Sequence, residues 1–105
     1  MVRADVHAIK LPSRRGRAQH GFRYAVIVQA DDLLELSTIV ICPTSIAAPA
    51  ASFHPEIEIG EERTRVLCEM VGGVDARALG EQVAHLSAGE LRSVEEALRL
   101  VLDLG

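Results

Sequence analysis

The sequence predicts a small, mainly β domain in which a curled antiparallel sheet or barrel of five to six short strands is capped by a C-terminal helix. Short alternating or β-branched apolar segments recur along the first 86 residues, and glycine and proline separate them. The one long helical pattern lies at the end of the chain. Strands followed by a single amphipathic helix are typical of a sheet that buries one face beneath that helix.

The strands are predicted from apolar alternation and β-branched content. Pro43 is expected to stop the third strand, Pro55 to lie at an edge or at the beginning of the fourth, and Gly72-Gly73 to end the fifth. Between the strands, short helical turns are predicted, the first of them begun by an aspartate cap. The predicted strands are 4–11, 22–29, 37–42, 53–59, 65–71 and a short one at 83–86, and the predicted turns are 31–36 and 75–79.

The C-terminal helix has the sharpest pattern in the chain. Ser87 and Glu90 have the spacing of a capping box, in which each side chain satisfies a backbone N–H of the other residue. Apolar residues then recur at helical spacing at Leu91, Val94, Leu98, Val101 and Leu102. The chain contains no linker, repeat or low-complexity tract, so residues 1–105 are expected to form one domain.

Composition places the chain among ordinary globular proteins, with 49% hydrophobic and 25% charged residues. No apolar run approaches the ~20 residues that cross a bilayer, and no signal-peptide core follows Met1, so a cytoplasmic protein without a membrane partner is expected. Cys42 and Cys68 each lie in an apolar run and are too few for a disulfide framework. Both cysteines are therefore predicted to be small core residues.

Charge is unevenly distributed along the chain. The net charge is −4, yet residues 1–30 carry six basic residues and one acidic residue, while residues 31–105 have a net charge of −9. The segment 12–21 has no apolar periodicity and is predicted to be a long loop that holds Arg14, Arg15 and Arg17. At the ~8 Å Debye length of physiological salt, a distant acidic face is largely screened from this segment, so the basic segment can bind a nucleic acid.

The candidate site is a set of polar residues at strand ends. No zinc, P-loop, dinucleotide or serine-hydrolase motif occurs, and no two histidines have ligand spacing, so neither a metal nor a cofactor is expected. The remaining candidates are Arg23 after the basic loop and Thr44-Ser45 after Pro43. Glu69, inside an apolar segment, is predicted to be a buried carboxylate that braces Arg23 or a backbone donor.

Taken together and in order, these segments resemble the MazF/PemK family of toxins from type II toxin–antitoxin systems over residues 3–104. No single one of these motifs is specific to the family, but the ordered set of motifs along the chain is. Four positions depart from the family pattern and are expected to affect RNA sequence preference more than chemistry: Ala4 for Gly, His7 for a frequent Trp, Tyr24 for Pro, and Gly72 for a frequent Arg. The matching segments are Arg3-Ala4-Asp5-Val6, Gly21-Phe22-Arg23-Tyr24, Cys42-Pro43-Thr44-Ser45, 53–59, 66–71 with Asp75 and Leu79, and the terminal helix.

The resemblance implies an SH3-like barrel and a homodimeric, metal-independent endoribonuclease that cleaves single-stranded RNA. In this family the ribose 2′-OH attacks the adjacent 3′ phosphate and leaves a 2′,3′-cyclic phosphate and a 5′-OH. A MazE-like antitoxin with an acidic tail is the implied partner, bound in a groove shared by two subunits. The residues that match the catalytic pair are Arg23 and Thr44, with His20 as a further candidate proton donor; the candidate RNA-binding residues are Arg14, Arg15, Arg17 and Ser45.

Two other functions stay open at this point. A CcdB-like toxin of the same barrel poisons DNA gyrase by protein binding, needs no Arg–Thr pair and depends on its extreme C-terminus. Here residues 100–105 form an apolar helix end with little reach. The other alternative is a catalytically inactive member that binds only RNA or a partner protein.

Overall fold

A computed structural model describes residues 1–10 and 23–105 of the chain. In this part the chain forms seven strands, one α-helix and three short 3₁₀ turns. The 3₁₀ turns are Asp31–Leu33, Cys68–Met70 and Ala76–Ala78. The strands are β1 Asp5–Ile9, β2 Tyr24–Ile27, β3 Thr38–Ser45, β4 Glu56–Ile59, β5 Glu62–Val66, β6 Gly72–Asp75 and β7 Leu79–His85, and the helix is α1 Ala88–Leu102.

The strands pair antiparallel in the order β4-β5-β3-β2-β1-β7, and β6 is added to β3. One edge of β3 pairs with β2, while its other edge pairs first with β6 through residues 38–41 and then with β5 through residues 44–45. This change of partner lets the sheet curl. The predicted mainly β fold with a C-terminal helix is confirmed, with seven strands in place of five to six.

Pro43 lies inside β3 and does not end it, which corrects the predicted stop at Cys42. On the outer edge of β3, β6 reaches only as far as Ile41 and β5 begins at Thr44. Pro43 therefore lies between the end of β6 and the beginning of β5, where its lack of an N–H costs no hydrogen bond between strands. The Pro43 carbonyl still accepts a hydrogen bond from the Leu67 N–H at 2.8 Å.

Gly72 and Gly73 begin β6 and do not end a strand, which is a second correction. The predicted strand 65–71 is instead the end of β5 followed by the Cys68–Met70 turn. A Cβ on Gly73 would lie 2.7 Å from Thr38 Cγ2, so a larger residue here would force the Thr38 side chain to move. Glycine is depleted in strands generally, which explains why the sequence pattern concealed β6.

Helix α1 has the capping box that the sequence predicts, with both reciprocal hydrogen bonds between Ser87 and Glu90. The second carboxylate oxygen of Glu90 accepts a hydrogen bond from the Glu58 N–H at 2.9 Å, so it also satisfies a donor on the edge strand β4. Val94 and Ala97 are the buried residues of the helix and lie on its inner face. Leu102, predicted as part of the apolar stripe, is 49% exposed.

The main core lies between α1 and one face of the sheet. It contains Val6, Val26, Ile57 and Val66, all nearly inaccessible, together with both cysteines. The prediction that Cys42 and Cys68 are core residues is confirmed. A hydrogen bond between the two thiols, together with burial, raises the pKa of Cys42 far above its ordinary value. A second, smaller cluster on the opposite face contains Ala25, Ile27, Ile39 and Ile41.

The N-terminus is held against the rest of the domain by polar contacts. The predicted aspartate cap of the first 3₁₀ turn is wrong, because no side chain caps this turn. The Asp31 carboxylate instead accepts a hydrogen bond from the Arg3 N–H at 2.7 Å. The Arg3 guanidinium pairs with Glu95 of α1 at 2.6 Å. Ala4 has φ of 81°, a left-handed conformation that favours glycine, which explains the glycine usual at this position in the resembled family. Within the described residues, no helix is long and apolar enough to cross a membrane.

Candidate functional site

A cleft of about 220 Å³ opens at the end of β3, between the beginning of β2 and the β4–β5 hairpin. It brings together three of the candidate residues, Arg23, Thr44 and Ser45. They reach one place because β2 begins directly beside the end of β3, with Ala25 opposite Pro43. The other lining residues are Tyr24, Ile46, Ala47, Ile59, Glu62 and Thr64.

Arg23 is the cation of this cleft. It is exposed, its Nη2 donates a hydrogen bond to Tyr24 Oη at 3.1 Å, and its Cζ lies 5.1 Å from the centre of the Tyr24 ring. The hydrogen bond with Tyr24 and the nearby charge of Glu62 raise the pKa of Arg23. The guanidinium is therefore a permanent cation, and its planar set of donors can bind the oxygens of a phosphate.

Thr44 forms the buried floor of the cleft, with 3% of its surface exposed. Its Oγ1 donates a hydrogen bond of 3.3 Å to the Tyr24 carbonyl, which fixes the hydroxyl beside the arginine that precedes Tyr24. This bond is long, so the hydroxyl can exchange it for a stronger one to a charged phosphate oxygen.

Ser45 lies at the last position of β3 and is half-buried. Its Oγ accepts a hydrogen bond from the Ala47 N–H at 3.2 Å, a local contact that starts the turn after the strand. Since an accepted bond does not use the hydroxyl hydrogen, Ser45 can still donate to a ligand in the cleft.

The remaining sequence candidates, His20 and Arg14, Arg15 and Arg17, fall outside the described residues and stay predictions. Among residues 1–10 and 23–105, no three His, Cys, Asp or Glu side chains are close enough together to hold a metal ion. What the cleft offers in this part of the chain is one cation, one carboxylate and the four hydroxyls of Tyr24, Thr44, Ser45 and Thr64.

Glu69 is not a buried brace for Arg23, and this prediction was wrong. It lies in the Cys68–Met70 turn with its side chain 41% exposed, and both of its oxygens are 3.0 Å from Nε2 of the buried His54. The other ring nitrogen of His54 is 2.8 Å from the Pro49 carbonyl. The hydrogen bond with Glu69 raises the pKa of His54. The same hydrogen bond links the segment after β3 to the Cys68–Met70 turn.

Glu62 is the residue of the cleft that the sequence reasoning missed. It is the first residue of β5 and faces the cleft together with Thr64, two positions along. The alternation of Glu62-Arg63-Thr64-Arg65 is the signal that was available, because it places the two arginines on the opposite face of the strand from Glu62.

Comparison with known proteins identifies the family. A model of the PemK-like, MazF-like toxin of type II toxin–antitoxin systems matches residues 2–102. A Mycobacterium tuberculosis protein that is named as a candidate toxin is 29% identical over 106 residues, which cover 99% of each chain.

Solved structures share the fold at low sequence identity. An endoribonuclease from a mycobacterial species, solved in complex with its cognate antitoxin, superposes with a TM-score of 0.82 at 12% identity and covers 100% of this chain and 97% of that chain. MazF from Deinococcus radiodurans superposes with a TM-score of 0.82 at 20% identity, over 98% of this chain and 96% of that one. Since the family model spans nearly the whole sequence, this chain belongs to the PemK-like, MazF-like toxin family of type II toxin–antitoxin systems.

Proposed function

We propose that this toxin is a metal-independent endoribonuclease that cleaves single-stranded RNA. The observation that carries the proposal is the meeting of Arg23 and Thr44 in one cleft. The fold that holds this cleft is shared with a mycobacterial endoribonuclease and with MazF of Deinococcus radiodurans. A gyrase poison would not require an arginine and a threonine to meet in a cleft of this kind.

The chemistry that suits these groups uses a nucleophile from the substrate itself. The ribose 2′-OH attacks the adjacent phosphorus, the bond from phosphorus to the 5′ oxygen breaks, and the products are a 2′,3′-cyclic phosphate and a 5′-OH. Negative charge grows on the non-bridging oxygens, where the Arg23 guanidinium can donate two parallel hydrogen bonds. Thr44 binds a phosphate oxygen or the 2′-OH. A proton leaves the 2′ oxygen and one is added to the 5′ oxygen, and His20 is the candidate donor for the second step.

Binding of the RNA backbone is assigned to Arg14, Arg15, Arg17 and Ser45. The three arginines contribute to the net charge of +5 on residues 1–30, and Ser45 lies beside Thr44 in the cleft. Aromatic residues make up only 3% of the chain, so binding is expected to depend more on phosphate charge than on base stacking.

The assembled form is a cytoplasmic homodimer that a MazE-like antitoxin neutralises. Exposed apolar side chains support association of two copies, since an exposed apolar patch on a folded domain marks an interaction site and two-fold dimers are the commonest assembly. They include Leu33, Leu36, Leu100, Leu102 and Leu104, each about half exposed or more. The mycobacterial endoribonuclease of the same fold was solved with its cognate antitoxin, which supports an antitoxin partner here.

The proposal is tested by incubating the purified protein with a long single-stranded RNA in EDTA and mapping the ends. The expected result is site-specific cleavage with 2′,3′-cyclic phosphate and 5′-OH ends. If the folded protein cleaves no RNA, the proposal is wrong, and the chain is an inactive family member or a toxin that acts by binding a protein. Activity that EDTA abolishes and magnesium restores would contradict the mechanism.

A further inference from the structure

The β4–β5 hairpin gives the cleft a chemistry that the cleavage step does not use. The register pairs Ile59 with Glu62 and Ile57 with Thr64. Of the hairpin residues, Ile59, Glu62 and Thr64 line the cleft. The two arginines of β5 alternate with Glu62 and Thr64, so they belong to the other face of the strand.

Glu62 differs from the other acidic residues of this hairpin in what it faces. Glu56 lies 3.2 Å from Arg65 and 3.7 Å from Arg63, and Glu58 lies 3.8 Å from Arg63, so these carboxylates are neutralised by arginines of the neighbouring strand. Glu62 instead faces the cleft that contains Arg23. A carboxylate repels a phosphodiester, so Glu62 would meet a part of the RNA that donates hydrogen bonds.

The remaining surface of the cleft suits a flat, largely apolar group. Tyr24 contributes an aromatic ring, and Ile46, Ala47 and Ile59 contribute aliphatic side chains. Ile46 is 68% exposed, so a group bound in the cleft would cover apolar surface of its side chain. Aromatic and aliphatic walls are the usual contacts for the face of an unstacked nucleobase in single-stranded RNA.

We propose that the cleft is a nucleobase subsite in which Glu62 reads the edge of one base beside the cut phosphate. The inference rests on the proposed ribonuclease function and names the base that the cleft recognises. A carboxylate only accepts hydrogen bonds, and guanine presents two adjacent donors, N1–H and the N2 amino group, on its Watson–Crick edge. Uracil presents one N–H between two carbonyl oxygens, which the carboxylate repels. The subsite therefore selects guanine and rejects uracil, with Glu62 as a specificity-determining residue.

The test compares the wild-type protein with Glu62→Gln on a long RNA in which all four bases surround many potential sites. Wild-type cleavage sites should share guanine at one fixed position next to the cut, with uracil disfavoured by about tenfold or more. Glutamine has one acceptor and one donor, so Glu62→Gln should lose most of this preference. Glu61→Gln removes the same charge from the preceding residue, which does not line the cleft, and should cut as the wild type does.

A second measurement isolates the proposed hydrogen bond. Replacing the selected guanosine by inosine removes only the N2 amino group, so kcat/KM should fall by about tenfold for the wild type and little for Glu62→Gln. An equal loss of rate at every site with unchanged preference would overturn the inference in favour of a role in proton transfer. Wild-type cleavage without a guanine preference would overturn it as well, while leaving the ribonuclease intact. Absence of any cleavage by the wild type would instead overturn the proposed function itself.

Discussion

Arg23 and Thr44 show what single residues could reveal before the structure. Both are polar residues at predicted strand ends and both match the family's catalytic pair, and the fold brings them into one cleft although they lie far apart in the chain. Glu62 and His54 carry no such local signal, because the significance of each depends on a partner from another segment. A single-residue pattern cannot show whether an exposed charge faces solvent or a cleft.

Arg23→Ala should lower the rate of the chemical step by about 10²–10³, the usual loss when one preorganised charge-stabilising donor is removed. Thr44→Ala should cost less, and Thr44→Ser, which keeps the hydroxyl, should restore most of the rate. Single-turnover cleavage of a short RNA measures both effects. Arg92→Ala removes an exposed helix arginine and should leave the rate unchanged. Full activity of a folded Arg23→Ala protein would mean that this cleft is not the catalytic site.

The His54–Glu69 pair should make stability depend on pH. Because Glu69 raises the pKa of His54 in the folded protein, the protonated form stabilises the fold. This contribution is complete below the unfolded-state pKa of about 6.5 and is lost as pH rises through the higher folded-state value. Urea denaturation at a series of pH values should show this loss in the wild type and a smaller one in Glu69→Gln. Identical pH profiles for the two proteins would mean that the pair makes no such contribution.

At the scale of elements, local signals predicted helix α1 correctly, and long-range pairing decided the strands. The capping box of Ser87 and Glu90 is contained in four residues, so the sequence alone shows where the helix begins. Pro43 is tolerated inside β3 because its missing N–H falls between β6 and β5, and Gly73 belongs to β6, a strand that exists only through its pairing with β3. That information belongs to the sheet as a whole, which is why both boundaries were predicted incorrectly.

Ser87→Ala should lower the free energy of unfolding by about 1 kcal/mol, the usual loss when a side-chain N-cap is removed. The structure supports this value because the Ser87 hydroxyl accepts the hydrogen bond of the Glu90 N–H at 3.1 Å. Chemical denaturation measures the change. Ser93→Ala, on an exposed position of the same helix, should be neutral or slightly stabilising because alanine is the better helix former. Equal effects of the two substitutions would contradict the capping role.

At the scale of the whole molecule, the separation of charge was predictable and the position of the cleft was not. Counting residues is enough to show a basic first segment and an acidic remainder. The cleft, in contrast, combines residues from β2, the end of β3 and the β4–β5 hairpin, and the resemblance implied site residues only for the first two. The resemblance matches 53–59 only as an edge strand and assigns it no site residue, so the contribution of Glu62 and Ile59 to the cleft emerged only from the structure.

Neutralising Arg14, Arg15 and Arg17 together should weaken RNA binding with little effect on the chemical step. Each phosphate contact that is lost should reduce the slope of log affinity against log salt by ~0.7 on single-stranded RNA. Titration of a fluorescent, non-cleavable RNA at several salt concentrations measures this slope. An unchanged slope would mean that these arginines make no phosphate contacts.

The central claim is that the nucleophile is the substrate's own 2′-OH, and that Arg23 and Thr44 hold the phosphate it attacks in one cleft and stabilise the charge that grows there. The most direct measurement uses two otherwise identical short RNAs, one with a single 2′-deoxy substitution at the cut position, incubated with the purified protein in EDTA. We expect the all-ribose RNA to be cut to a 2′,3′-cyclic phosphate and the deoxy RNA to remain intact at that position. Cleavage of the deoxy RNA at the same bond would contradict the account.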